Sequence, residues 1–255
     1  DTDRSRGLGD VYKRQFENVY GLTKFKNGEE NIQNHIENRF RDIGYTVKSK
    51  ILYASDFGVP QRRNRLFIVG NRNGIDFEFP KEFDYSVSVD EAISDLPVLG
   101  NGEIQMKGEY TVPFEQASPY AQLMRKKSKA PTQNIVSRNK DYVVERYKYI
   151  GQGENWSSIP DRLMENYADK KRCHSGIYKR LIGGKPSVVI SNYRKSMLIH
   201  PHQDRGLSVR EAARLQSFPD HFIFEGPVSY VQQQIGNAVP PLLAKAVMKK
   251  ILTYK

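Results

Sequence analysis

The sequence predicts an α/β fold followed by a second domain that is rich in loops. Its 255 residues are enough for one large domain or two modest ones with a buried core. A helical apolar pattern precedes two apolar strand patterns, which is the order expected near the end of an α/β sheet. Residues 98–200 show no sustained period, which indicates loops with brief strands such as residues 187–191.

Regular patterning begins at Phe16. Residues 1–15 are mostly polar, charged or glycine, so we expect non-native or disordered sequence there. Residues 16–20 predict a strand end, and residues 45–53 and 65–70 predict two further strands. Between the first two of these strands, the spacing of Ile32, Ile36, Phe40 and Ile43 predicts one apolar face of a helix. Gly44 is predicted to end that helix.

Three later helices are predicted from the signals at their starts. Ser88 with Glu91, and Ser208 with Glu211, have the Ser-x-x-Glu spacing of a capping box, which predicts that a helix begins at each pair. Residues 240–241 are both proline, and proline is favoured at the first position of a helix.

Charge and composition restrict the function further. The formal net charge is +11, and residues 120–200 alone hold 17 Lys or Arg against 6 Asp or Glu. This excess indicates a polyanionic partner such as nucleic acid, although a solvated basic face explains the charge equally well. One cysteine, Cys173, excludes an internal disulfide and a multi-cysteine metal site, and we predict no metal. The sequence contains no apolar run of about eighteen residues and no leader pattern, so a cytoplasmic setting is expected.

Four motifs resemble those of one enzyme family. Residues 17–19, Glu-Asn-Val, resemble the ENV motif of DNA cytosine-5 methyltransferases, and residues 61–65, Gln-Arg-Arg-Asn-Arg, resemble their QxRxR motif. Residues 205–219 and 234–240 resemble the ninth and tenth motif blocks of the family. Each motif alone is modest evidence, but all four in the order of the family are specific. The resemblance covers residues 16–255.

The resemblance implies a fold, a reaction and site residues. The fold would be the tail of a doubly wound, Rossmann-like methyltransferase sheet plus a small, mainly β target-recognition domain. The reaction would transfer a methyl group from S-adenosylmethionine to carbon 5 of a cytosine flipped out of the duplex. Glu17 would hydrogen-bond ring nitrogen 3, and Arg65, with Arg63 beside it, would hold the exocyclic oxygen. Asn237 would contact the cofactor, and residues 205–219 would organise the recognition domain and touch phosphates.

The resemblance also divides the chain and names its partner. Residues 16–90 are expected in the catalytic domain, 91–204 in the recognition domain, and 205–255 in linking and closing helices. The expected partner is double-stranded DNA, bound by a monomer in a prokaryotic or phage restriction-modification system. The missing N-terminal half of the enzyme is a second candidate partner, and no membrane is expected as a partner. The basic residues expected to contact phosphates are Arg125, Lys126, Lys127, Lys170, Lys171 and Arg172. The aromatic residues interleaved with the basic residues of 120–200 are expected in the domain core; they are Tyr142, Tyr147, Tyr149, Trp156, Tyr178 and Tyr193.

Two family features are not found in this sequence. The family nucleophile is a cysteine in a Pro-Cys-Gln loop upstream of ENV, whereas Cys173 lies in the variable region. The glycine-rich FxGxG cofactor loop is not found either. We therefore expect a C-terminal fragment that does not catalyse the reaction alone. A non-catalytic DNA-binding module, one half of a split methyltransferase and an RNA-directed enzyme of the same architecture are the alternatives.

Overall fold

The chain divides into two compact units. The computed structural model describes residues 13–27, 30–165, 176–191, 193 and 198–254. What we call the sheet unit comprises the described residues up to Tyr53, residues 64–82 and residues from 245 onward, and the large unit comprises residues 54–63 and the described part of 83–244. Within these described ranges, none of the helices is long and apolar enough to cross a membrane.

The sheet unit contains the first helix and most of the strands. In chain order its elements are β1 (Lys13–Val19), β2 (Lys26–Asn27), β3 (Glu30–Asn31), α1 (Ile32–Asp42), β4 (Thr46–Tyr53) and β5 (Asn64–Asn71). Helix α1 begins where the side chain of Asn31 accepts a hydrogen bond from the amide of Gln33. Gly44 follows the helix with a φ of +86°, which glycine adopts without strain. The predicted helix and both predicted strands are confirmed.

Strand β5 is the centre of a three-stranded sheet. It pairs antiparallel with β1 on one side and with β4 on the other. Residues 65–71 of β5 are all buried, so both faces of this strand are covered. Phe40 of α1 packs over Gly70 on one face. Val69, which points to the opposite face, lines a small cavity together with Ile251. The described sheet therefore has a layer on each side.

Strand β1 starts earlier than the sequence predicts. Lys13, Arg14 and Gln15 pair with Asn71, Gly70 and Val69 of β5. These three residues belong to the fold, and the predicted boundary at Phe16 is wrong by three residues. Their polar side chains concealed the strand because β1 lies at the edge of the described sheet, where polar residues are tolerated.

Short helices and loops build the large unit. In chain order its elements are α2 (Val89–Ile93), β6 (Ile104–Lys107), α3 (Pro119–Arg125), β7 (Thr132–Ile135), α4 (Asp141–Tyr147), α5 (Val209–Leu215), α6 (Val228–Asn237) and the start of α7 (Pro241–Thr253). Among the described residues of this unit, β6 and β7 are the paired strands. The expectation of a mainly β domain is therefore wrong. Residues 187–191 form no strand, and one isolated bridge joins Ser187 to Gln61.

Among the described residues of the large unit, two apolar clusters stabilise the fold. The first gathers residues of α2, α5 and α6, and both predicted capping boxes, at α2 and α5, are present. The second cluster joins α4 to Tyr178 and Ile199. Tyr147 and Tyr193 are also buried, which confirms their predicted core position, whereas Tyr142 is about half exposed. The unit boundaries differ from the predicted segments, because residues 54–63 and 205–244 belong to the large unit.

Candidate active-site residues

A carboxylate and a guanidinium meet on one face of the β1–β5 pair. In the strand register, Glu17 lies opposite Phe67 and Val19 lies opposite Arg65. Glu17 and Arg65 are therefore diagonal neighbours on the same face of the sheet. Arg65 Nε lies 2.7 Å from Glu17 Oε1, so the two motif residues form an ion pair.

The two partners of this ion pair differ in exposure. The side chain of Arg65 is 7% exposed and that of Glu17 is 23% exposed. Burial lowers the pKa of Arg65, and the Glu17 carboxylate opposes this effect. The guanidinium stays protonated because the pKa of arginine lies far above neutrality. The pair can offer a carboxyl group and fixed N–H donors to one planar ligand.

Arg63 occupies a different environment from Arg65. It precedes β5 and is 3% exposed. Its NH1 donates to the carbonyl oxygen of Ile190 at 3.1 Å, and its NH2 donates to that of Gly236 at 2.6 Å. The prediction that Arg63 helps to hold a base is corrected here, since its guanidinium is directed at backbone carbonyls of the large unit.

Two glutamines near Arg63 were not predicted as site residues. The Gln61 amide nitrogen donates to Gln216 Oε1 at 2.8 Å, and Gln61 Oε1 accepts from the amide of Ile190 at 3.0 Å. Gln216 donates in turn to the carbonyl oxygen of Ile235 at 2.7 Å. Both glutamines are fully buried. The sequence signal that could have identified them is their position, since Gln61 lies in residues 61–65 and Gln216 in residues 205–219, two of the four motifs.

Asn237 is exposed at the end of α6. It is the last residue of this helix, and Gly236 before it is buried and helical rather than part of a turn. A Cβ added at Gly236 would lie 1.8 Å from the carbonyl oxygen of Ser191. The glycine is therefore required by close packing of two backbone segments. Asn237 keeps an amide donor and a carbonyl acceptor available for a ligand.

The arginines of the ninth motif block are buried in the large unit. Arg205 donates from both NH1 and NH2 to the carboxylate of Glu211, at 2.9 and 2.7 Å. Burial raises the pKa of Glu211, but Arg205 outweighs it and holds that pKa at about 2. Arg214, with 0% exposure, pairs with Asp220 at 2.6 Å and with Asp95 at 3.0 Å.

Arg210 completes this set by donating to the backbone. Its Nε donates to the carbonyl oxygen of Thr132 at 2.8 Å, and its NH2 donates to that of Phe222 at 2.9 Å. Arg205, Arg210 and Arg214 are each at most 2% exposed. The block organises the large unit, as predicted, but the expectation that its arginines touch phosphates is wrong.

The residues expected to bind DNA fall into three groups. Lys126 and Lys127 are exposed at the end of α3. Arg125 is 8% exposed, lies 3.4 Å from Asp95 and stacks 3.8 Å from the ring centre of Tyr110. The prediction that Arg125 contacts DNA is therefore wrong, because Arg125 packs inside the large unit. The expected cluster of Lys170, Lys171 and Arg172, like Cys173, lies outside the described residues.

No metal centre is found in the part of the chain that the structure describes. Among these residues, no group of three or more His, Cys, Asp or Glu is placed to hold a metal ion.

Comparison with known proteins identifies the family. A family model described as C-5 cytosine-specific DNA methylase matches residues 15–253. The chain belongs to this family. It is 34% identical over 238 residues to the type II methyltransferase M1.HphI of Haemophilus parahaemolyticus, and the match covers 92% of this chain and 55% of that protein.

Further comparisons agree with this family. The type II methyltransferase M.DdeI of Desulfomicrobium norvegicum is 33% identical over 260 residues, which cover 93% of this chain and 62% of that protein. The fold is similar to that of an Escherichia coli prophage protein described as a DNA modification methyltransferase, with a TM-score of 0.67 and 23% identity over 95% of this chain and 69% of that one. The chain thus spans little more than half the length of the two curated methyltransferases.

Proposed function

We propose that this chain supplies the base-binding part of a DNA cytosine-5 methyltransferase of a restriction-modification system. The Glu17–Arg65 ion pair carries the proposal. It joins the ENV and QxRxR motifs at 2.7 Å, and Glu17 keeps enough exposure to reach a ligand. A flipped cytosine presents ring nitrogen 3 beside its exocyclic oxygen, an edge that a carboxyl group and a guanidinium match.

Each member of the pair has a distinct role in the proposed reaction. Glu17, in its protonated form, donates a hydrogen bond to ring nitrogen 3 and makes carbon 6 more electrophilic. Arg65 donates to the exocyclic oxygen and stabilises the negative charge that develops there. Because Arg65 also contacts Glu17, it holds the carboxyl group at a fixed position. The low exposure of Arg65 strengthens these hydrogen bonds by excluding water.

Asn237 is the proposed cofactor contact of this chain. Its amide is exposed at the end of α6 and can both donate and accept a hydrogen bond. S-adenosylmethionine, when bound, supplies the methyl group. The glycine-rich FxGxG loop is not found among the 255 residues, so Asn237 is proposed to contribute only part of that site.

The proposed DNA contacts are the exposed Lys126 and Lys127, together with Lys170, Lys171 and Arg172.

We propose that the chain as given is inactive alone, since a Pro-Cys-Gln segment is not found in its sequence. The second candidate function is a DNA-binding module without chemistry, which the concentration of 17 Lys or Arg in residues 120–200 favours.

The coding sequence upstream of the Lys13 codon separates these functions. If it encodes Pro-Cys-Gln and FxGxG segments in frame, the joined protein should methylate cytosine-containing duplex DNA, measured with labelled cofactor. Glu17→Gln should then lower the rate by roughly 10²–10⁴-fold, because an amide cannot deliver the proton. Glu82→Gln is the matched control, since Glu82 is an exposed glutamate that pairs with Lys50.

Three outcomes would contradict the proposal. A Glu17→Gln enzyme with the parent's rate would remove Glu17 from the mechanism. Activity of the 255-residue chain alone that is lost in Cys173→Ser would identify a different nucleophile. DNA binding without methyl transfer by the joined protein would favour the non-catalytic module.

A further inference from the structure

We infer that Arg63 is a positioning residue that locks the C-terminal end of α6 against residues 187–191. One guanidinium spans both segments, because NH1 donates to the carbonyl oxygen of Ile190 and NH2 donates to that of Gly236. Arg63 is 3% exposed, so these two bonds are shielded from water. The inference rests on the proposed function only in what it assigns to Asn237.

Arg63 provides a hydrogen-bond donor to a carbonyl group at the C-terminal end of helix α6. The last four carbonyl groups of a helix find no partner inside the helix, and the helix dipole concentrates negative charge there. In α6, Arg63 binds the carbonyl oxygen of Gly236, and Gln216 binds that of Ile235. A buried cation at this end therefore stabilises the last turn, which carries Asn237.

Gln61 extends this lock to residues 187–191. Its side chain accepts from the amide of Ile190 at 3.0 Å and donates to Gln216 Oε1 at 2.8 Å. Ile190 is thus held at its amide by Gln61 and at its carbonyl oxygen by Arg63. Two side chains of the QxRxR-like motif, Gln61 and Arg63, therefore bind the backbone of a segment that forms no strand.

Gly236 shows how closely the two locked segments approach. A Cβ at this position would lie 1.8 Å from the carbonyl oxygen of Ser191, where backbone rather than a flexible side chain would have to move. The helix end and residues 187–191 are therefore in direct backbone contact. Arg63 binds on both sides of this contact, which fixes the backbone of Asn237.

Hydrogen exchange measured by mass spectrometry on the 255-residue chain tests this lock. Arg63→Lys keeps the charge but cannot span two carbonyls, so amides of residues 187–191 and 234–239 should exchange roughly tenfold faster or more. Helix α4 should keep the parent's rates. Arg62→Lys is the matched control, because Arg62 is the exposed neighbour in the same motif.

A second variant keeps the inference testable if Arg63→Lys destabilises the whole unit. Gly236→Ala breaks the same contact from the other side, and the double variant should add little to either single change. Faster exchange in only one segment, equal acceleration in α4 for both variants, or full additivity of the two changes would overturn the lock.

The joined enzyme supplies a kinetic test that separates positioning from chemistry. Arg63→Lys should raise KM for S-adenosylmethionine by roughly tenfold and change kcat by less than about twofold, as Asn237→Ala should. A fall in kcat with unchanged KM would overturn the positioning role. If the joined enzyme has no activity, the proposed function fails, and the exchange experiment still decides on the lock.

Discussion

Replacement of His200 by asparagine should make the stability of the large unit less sensitive to acid. His200 is 7% exposed, and its Nδ1 accepts a hydrogen bond from the amide of His202 at 3.1 Å. Burial lowers the pKa of His200 from 6.5 to about 4, and nearby Arg205 lowers it further while Glu211 opposes the shift. Asparagine can keep the acceptor but does not titrate.

The size of the effect follows from that pKa. Between about pH 6.5 and pH 4 the unfolded chain binds a proton at His200 that the folded chain does not, so the free energy of unfolding falls as the pH falls. A difference of 2.5 pKa units corresponds to about 3 kcal/mol at 1.36 kcal/mol per unit. This loss should be complete near pH 4 and absent above about pH 7.

Urea unfolding followed by tryptophan fluorescence measures this loss. Trp156 is the single tryptophan of the chain and packs against the apolar cluster that contains Ile199. We expect the parent to lose about 3 kcal/mol more than His200→Asn between pH 7 and pH 4. His221→Asn is the control, since His221 is exposed. Equal losses for parent and His200→Asn would refute the reasoning.

Two further changes test the buried and the exposed cations. Arg214→Met should cost about 3–5 kcal/mol in the same unfolding assay, because it removes the guanidinium that pairs with buried Asp220 and leaves buried Asp95 only its 3.4 Å contact with Arg125; a cost below about 1 kcal/mol would contradict this role. Replacing both Lys126 and Lys127 by alanine should flatten the log–log salt dependence of duplex binding, measured by fluorescence anisotropy, by up to roughly two contacts at 0.9 each. The control replaces the exposed Lys245 and Lys249 by alanine. Equal salt slopes for the parent, the Lys126/Lys127 variant and the control would mean that Lys126 and Lys127 do not contact phosphates.

The elements that the sequence predicts well are those with local causes. Helix α1 follows from apolar spacing and from Gly44, and helices α2 and α5 follow from capping boxes in which Ser88 and Ser208 accept from the amides three residues on. Strand β5 follows from a continuous apolar run. In each case the decisive interactions lie within a few residues, so the local pattern is sufficient.

The failures have distant causes. Residues 187–191 contain a β-branched apolar run, yet Val189 is 45% exposed. The amide of Ile190 donates to the Gln61 side chain, and its carbonyl oxygen accepts from Arg63. Those partners lie more than 120 residues earlier in the chain. The sequence places Arg125 beside two lysines, but Asp95 and Tyr110 pack against its guanidinium. No local pattern contains these pairings.

The three arginines of the QxRxR-like motif show how far a motif can assign roles. Arg62 is exposed, Arg63 binds the carbonyl oxygens of Ile190 and Gly236, and Arg65 pairs with Glu17. The residue type is the same in each case, so the partner decides the role. Arg63 donates to two backbone carbonyl oxygens and stabilises the end of α6. Arg65 instead pairs with the carboxylate of Glu17, which belongs to the ENV motif. Arg65 and Glu17 place two charged groups side by side, and for this reason we propose base binding for Arg65 and positioning for Arg63.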